Sequence, residues 1–170
     1  NLIFCGQTSV AFITVISPNL IHLIVMKIQY KNLYTHFVFT TYDRQWLITE
    51  ENRVRIEKYI TGIVSKQKSK LYAIYANPEH VHMLISRDPG ISEEELATII
   101  ANSSERFVNE NKLASPGFRW QQSASAFSVS KSDVEGVCKY IFSQPEQQKK
   151  VSFAEEYEKF IRYYQDTLKK

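Results

Sequence analysis

The chain has two cysteines in 170 residues, Cys5 and Cys138, too far apart to form a metal-binding spacing or a disulfide framework. A reducing, cytosolic setting is therefore expected. Five glycines and five prolines exclude a collagenous, linker-like or proline-rich chain, and no segment repeats. A strong excess of one charge is also missing. The 21 basic and 18 acidic side chains leave a net charge of +3, which permits a polyanionic partner without requiring one. The length suits one domain with a real core better than two small ones.

Residues 1–25, NLIFCGQTSVAFITVISPNLIHLIV, hold no charged side chain. A signal peptide would need a basic start, which is absent. A membrane helix is possible by length, but Gly6, Gln7, Ser17, Pro18, Asn19 and His22 interrupt the apolar run. The expectation is an apolar extension over 1–25, a single domain over 26–170, and no membrane partner.

From Lys27 the pattern is clear. Aromatic and β-branched residues over 28–41 predict a strand. Thr49 followed by Glu50 and Glu51 predicts a helix start, and Val54, Ile56, Ile60, Ile63 and Val64 carry its apolar stripe to about Lys68. KLYAIYA (70–76) and HVHMLIS (80–86) predict a hairpin across Asn77-Pro78. Ser92 with Glu95 predicts a capping box for a second helix, reaching about Asn111. A fourth strand is expected over 123–130. Ser132 with Glu135 predicts a further box and a helix over 133–144, ended by Pro145. An amphipathic helix over 153–168 closes the chain, with Phe153, Tyr157, Phe160, Ile161 and Tyr164 on one side. The order β-α-β-β-α-β plus two helices predicts an α+β, ferredoxin-like (split β-α-β) antiparallel sheet, one face under the crossover helices and the other free.

Histidine is scarce, with four in all, yet two stand in one short strand as His80-Val81-His82. Residues at i and i+2 of a strand share a face, so both imidazoles can address one divalent ion while Val81 turns to the core. Two histidines packed on a strand would give the same tripeptide. Tyr140 and Gln144 stand at i and i+4, which on a helix presents a phenol and an amide together. Tyrosine can be a covalent nucleophile and a glutamine oxygen can bind a metal, although both residues could equally be packing and surface. Arg44, Arg119, Lys139, Lys149 and Lys150, with Trp120 as a stacking ring, would suit single-stranded nucleic acid. Trp120 is as easily a core residue.

Taken together, YTHFVFTTYDRQWLIT, NPEHVHMLIS, FRWQQSASAFSVSKSDVEGVCKYIFSQPEQQKK and SFAEEYEKF resemble the single-tyrosine HUH transposases of bacterial insertion sequences, including the REP-associated tyrosine transposases. The resemblance runs from about Tyr30 to Tyr164. It implies that His80 and His82 are metal ligands, that Tyr140 is the nucleophile, and that Gln144 completes a site for Mg²⁺ or Mn²⁺. It also implies cleavage of single-stranded DNA through a 5′-phosphotyrosine link, hairpin DNA ends as partner, a homodimer or monomer, and a bacterial cytoplasm. His36 recurs in the pattern and is expected to be structural or close to DNA. Where relatives carry a glycine-containing GYGAFSV-like segment, this chain has SASAFSV (Ser123 to Val129), which puts the strand geometry or a DNA contact there in question. The competing readings are a silent hairpin-binding module and a nicking enzyme without strand transfer.

Overall fold

The computed structural model describes Met26, Ile28, residues 31–147 and residues 152–167. Residues 1–25, Lys149 and Lys150 lie outside the described residues. The strands are β1 (Tyr34–Thr40), β2 (Lys70–Ala76), β3 (His80–Ser86) and β4 (Ser125–Val129). The helices are α1 (Glu50–Lys66), α2 (Glu93–Glu110), α3 (Val134–Phe142), α4 (Gln144–Gln147) and α5 (Phe153–Thr167). A 3-10 turn, Tyr42–Arg44, follows β1. No helix among the described residues is long and apolar enough to cross a membrane.

The strands form one antiparallel sheet in the order β2-β3-β1-β4. β3 therefore separates β1 from β2, and β1 separates β3 from β4, as two interleaved split β-α-β units require. α1 and α2 bury Ile56, Ile60, Ile63, Val64, Leu96, Ile100 and Val108 against Phe37, Phe39, Val81, Met83 and Ile85. This is the main core. Thr49 caps α1, and Asn52 Oδ1 accepts from its backbone N–H at 2.8 Å. Ser92 Oγ accepts from the Glu95 N–H at 3.1 Å at the start of α2.

Several boundaries differ from expectation. β1 begins at Tyr34, where pairing to both β3 and β4 begins, and Ile28 is exposed. β4 spans only Ser125–Val129, leaving Ser123 and Ala124 in the preceding loop. Val54 is exposed because the buried stripe of α1 runs through Asn52 and Ile56. The Ser132–Glu135 box does not form. Asp133 occupies the N-cap, and the Ser132 hydroxyl is engaged with Ser130 Oγ at 2.6 Å and Asp133 Oδ1 at 3.3 Å. The helix carrying Tyr140 ends at Phe142, and a new short helix starts at Gln144. Pro145 has no N–H to continue the first ladder, so the backbone rephases around Ser143.

The second sheet face is not free. α3 packs on it, building a smaller cluster of Ala73, Leu84, Val129 and Ile141 rimmed by Tyr34, Tyr72, Tyr75 and Tyr140. α5 adds Phe153 over His80 and Glu156 beside His82.

Candidate active site

β3 lies inside the sheet and is buried on both faces, so its alternation sorts two kinds of side chain. Val81, Met83 and Ile85 enter the main core. His80 and His82, 0% and 2% exposed, project to the face under α3 and α5. In register, Thr40 lies opposite His80 and His36 opposite Leu84, which sets His36 diagonally beside His82. His36 Nε2 and His82 Nδ1 are 3.0 Å apart, a hydrogen bond that fixes the His82 ring. His80 Nε2 is similarly tied to the Asn77 side-chain amide at 2.8 Å.

Each ligand-candidate ring thus spends one nitrogen on the protein and keeps the other. His80 Nδ1 and His82 Nε2 are buried without a hydrogen-bond partner. The neighbouring carboxylates are Glu79, 3.7 Å from His80 Nδ1, and Glu156, 3.9 Å from His82 Nε2. One ligand atom from each of His80, His82 and Glu156 can be chosen so that all lie within 4.8 Å of one another. Two orphaned imidazole nitrogens facing a carboxylate fit a divalent cation, because an unpaired buried polar atom is otherwise a cost.

Electrostatics agree. Burial, then the neighbouring His80 and His36, hold His82 well below its ordinary pKa, and burial alone brings His36 down to about 4. Both rings are neutral at neutral pH, the form in which imidazole binds metal. Burial, reinforced by the nearby Glu79 charge, pushes Glu156 up to about 7. A carboxylate held in this way gains by pairing with a cation.

Tyr140 and Gln144 both reach this cluster. The Tyr140 hydroxyl donates to Glu156 Oε1, and its ring centroid lies 5.6 Å from that of His82 and 6.1 Å from that of His36. Gln144, fully buried, donates from Nε2 to Glu156 Oε1 at 2.8 Å and accepts from Asn77 Nδ2 at 2.9 Å. The break between α3 and α4 does not separate the pair, since both converge on one carboxylate.

Glu156, Asn77 and Glu79 carry no role in the sequence-based expectation. A signal for Glu156 was present. It stands between Phe153 and Tyr157 on one helical face, and an acid inside an apolar stripe is a candidate for buried work.

The proposed DNA-contacting set is scattered. The Arg44 guanidinium lies 5.5 Å over the Phe153 ring, and Arg119 lies 4.5 Å over Tyr42. Lys139 pairs with Glu135 at 2.7 Å on the exposed side of α3. Trp120 is a core residue. It is 6% exposed, packs edge-on against Phe39 and Phe118, and donates from Nε1 to Ser104 at 2.9 Å, so its ring faces are not available for stacking on bases.

A four-stranded antiparallel sheet with a tyrosine helix laid beside paired histidines defines a class, and comparison places the chain in it. Residues 29–144 match the family model of IS200-like transposases, and the chain belongs to that family. No curated protein matches the chain. Among solved structures, a Deinococcus radiodurans R1 protein assigned as a transposase is 18% identical, with a TM-score of 0.53 over 71% of this chain and 98% of that one. A REP-associated tyrosine transposase bound to a REP hairpin is 16% identical, with a TM-score of 0.55 over 75% of each chain. At these identities the two structures speak for the fold. The family match stops at Gln144, so α5 and Glu156 lie beyond it.

Proposed function

We propose that the chain cleaves and rejoins single-stranded DNA with hairpin ends, using Tyr140 as nucleophile beside a divalent ion. The observation that carries this reading is the convergence of Tyr140, Gln144 and Glu156 on the two orphaned histidine nitrogens. The hairpin substrate is supported by family membership and by the hairpin-bound structural neighbour. The work would take place in the bacterial cytoplasm, where the DNA is.

His80 and His82 would hold the ion with oxygens from Glu156 and Gln144. For His80 to offer Nδ1, its proton must sit on Nε2, which Asn77 can accept only through its carbonyl oxygen. Turning that amide over obliges Gln144 to turn as well, which aims the Gln144 oxygen at the site. A mixed set of two imidazoles and two oxygens suits Mn²⁺ better than Mg²⁺. When bound, the ion polarises the scissile phosphate and spreads its developing charge.

The protein does the rest. The Tyr140 oxygen attacks phosphorus and the bond from phosphorus to the 3′-oxygen breaks, leaving the 5′-phosphate on the tyrosine. The phenolic proton leaves along its hydrogen bond to the Glu156 carboxylate. Glu156 then returns it to the departing 3′-oxygen, so the proton count balances. Rejoining reverses the sequence and needs no nucleotide, because the phosphotyrosine keeps the bond energy. Tyr140 and the histidines meet within one chain, which favours a site complete in cis; a homodimer would then serve to hold two DNA ends.

The decisive assay mixes a labelled single-stranded hairpin from flanking DNA with the protein and Mn²⁺, resolved on a denaturing gel. A covalent adduct is expected with the natural sequence and none with Tyr140→Phe. Tight binding without cleavage under any divalent ion would sink the enzyme reading and leave a binding module. Nicking without joining would favour a nicking enzyme.

A further inference from the structure

Beside the metal-site residues lies an open hollow of about 480 Å³, lined by Asp43, Arg44, Gln121, Ser123, Phe153 and Tyr157 among others. It is joined to the catalytic cluster by one ring. Phe153 stacks on His80 with centroids 4.0 Å apart, and the Arg44 guanidinium lies over Phe153. Phe153, covered by His80 and Arg44, closes the floor, and the half-buried Tyr157 is fixed on the wall by a 2.7 Å hydrogen bond to Ser125. The SASAFSV segment that departs from the family pattern supplies part of the wall through Ser123, Ala124 and Ser125.

The rim is built at some cost. Asp43 and Arg44 are consecutive non-glycine residues with φ of 53° and 52°, in the left-handed region that L-residues avoid. The turn is pinned from three sides. Tyr42 N–H donates to Arg119 O at 2.8 Å, Arg44 N–H to Thr41 O at 3.0 Å, and Thr41 Oγ1 to Gln45 O at 2.7 Å. Strain that persists only because its surroundings enforce it clusters at functional sites. Here it sets an anionic acceptor and a cationic donor fork side by side on the rim of one hollow.

We propose that this hollow is a base-reading pocket for one unpaired nucleobase of the strand held at Tyr140, with guanine preferred. This rests on the transposase reading above. Among the four bases, guanine alone offers two adjacent N–H donors, N1 and N2, for a carboxylate, with O6 and N7 as acceptors for a guanidinium. Asp43 takes the donors and Arg44 reaches the acceptors, while the half-buried Tyr157 supplies an aromatic side chain on the wall.

The test measures fluorescence anisotropy with the full chain carrying Tyr140→Phe, so that cleavage does not intervene, in Mn²⁺. The probes are a fluorescein-labelled oligothymidylate and the same strand with a single central dG, dA or dC. The dG strand is expected to bind about tenfold more tightly than the others, the discrimination of one good base contact. Asp43→Asn should erase most of that advantage, and it is a mild change because asparagine tolerates the left-handed backbone. Arg44→Ala should erase it too. Equal affinity for all four strands overturns the proposal, as does a dG preference that survives both variants. If the Tyr140 adduct forms on hairpin DNA but no base preference exists, only the pocket falls. If the protein neither binds these strands nor forms the adduct, the transposase reading falls with it.

Discussion

On the sheet face that α1 and α2 cover, β3 contributes Val81, Met83 and Ile85, all fully buried among aliphatic and aromatic neighbours. On the opposite face the same strand contributes His80 and His82, equally buried, under α3 and α5. Burial is alike and its energetics are opposite. Apolar side chains gain about 1.5–3 kcal/mol each on leaving water. Imidazoles and a carboxylate lose hydration that hydrogen bonds restore only in part, and two of their nitrogens stay unpaired. The first face stabilises the fold throughout, whereas on the second Leu84 and its small cluster do so and the histidines are held in place by the fold. The division can be tested from either side.

The largest effect on stability is expected from Ile100→Ala. Ile100 is fully buried in the main core, and truncation there costs about 2–5 kcal/mol, read from urea unfolding. The same variant should bind Mn²⁺, followed by calorimetry at a temperature where it remains folded, as the natural protein does. A loss of ion affinity alongside would mean that the two faces are mechanically coupled, and the division would fail.

Asn77→Ala strikes the other face and should reverse the pattern. Asn77, 2% exposed, holds both His80 and Gln144, so it orients two groups of the site without being a ligand itself. Removing such a support typically weakens metal affinity about 10–100-fold. The calorimetric affinity for Mn²⁺ should fall by that range while stability drops less than in Ile100→Ala. An unchanged affinity would show that the His80 ring needs no such orientation.

The two faces also differ in how far they could be read from the sequence. The apolar face was legible because its signal is periodic. Ile56, Ile60, Ile63 and Val64 repeat at helical spacing, and Val81, Met83 and Ile85 alternate along a strand. Val54 falls outside the stripe because Asn52 and Ile56 take the inward positions of that turn. On the polar face His80, His82 and Tyr140 were legible as residue types in a recognisable order. Their partners were not. Glu156 meets His82 across a long stretch of sequence, and no local period encodes that meeting. The break at Ser143 was hidden by an i, i+4 spacing that looks helical, and Trp120 by an aromatic character that suits stacking and core alike. The closed second face escaped because the helices that cover it follow the last strand, where a β-α-β-β-α-β order makes no demand.

Glu156→Gln gives the smallest effect and the most discriminating one, because its sign depends on pH. The carboxyl titrates near 4.5 when exposed and near 7 in the folded chain, raised first by burial and then by Glu79. Between those values the native state holds a proton that the unfolded chain has released. Metal-free stability therefore falls as pH rises from about 4.5 to about 7, and the deficit persists above. His36 and His82 act in the other direction. Their folded pKa values are depressed, so stability falls as pH drops below about 6.5, where the unfolded chain takes up protons that the native state refuses. Glutamine keeps the acceptor for Tyr140 and Gln144 but cannot ionise. In a chelating buffer the variant should match the natural protein near pH 4.5 and exceed its Tm by roughly a few degrees at pH 8. The acid limb due to the histidines should be unchanged. A Tm difference that does not vary with pH would remove Glu156 as the charged group of the site. Saturating Mn²⁺ at pH 8 should reverse the order, since a bound cation stabilises the carboxylate that its absence penalises.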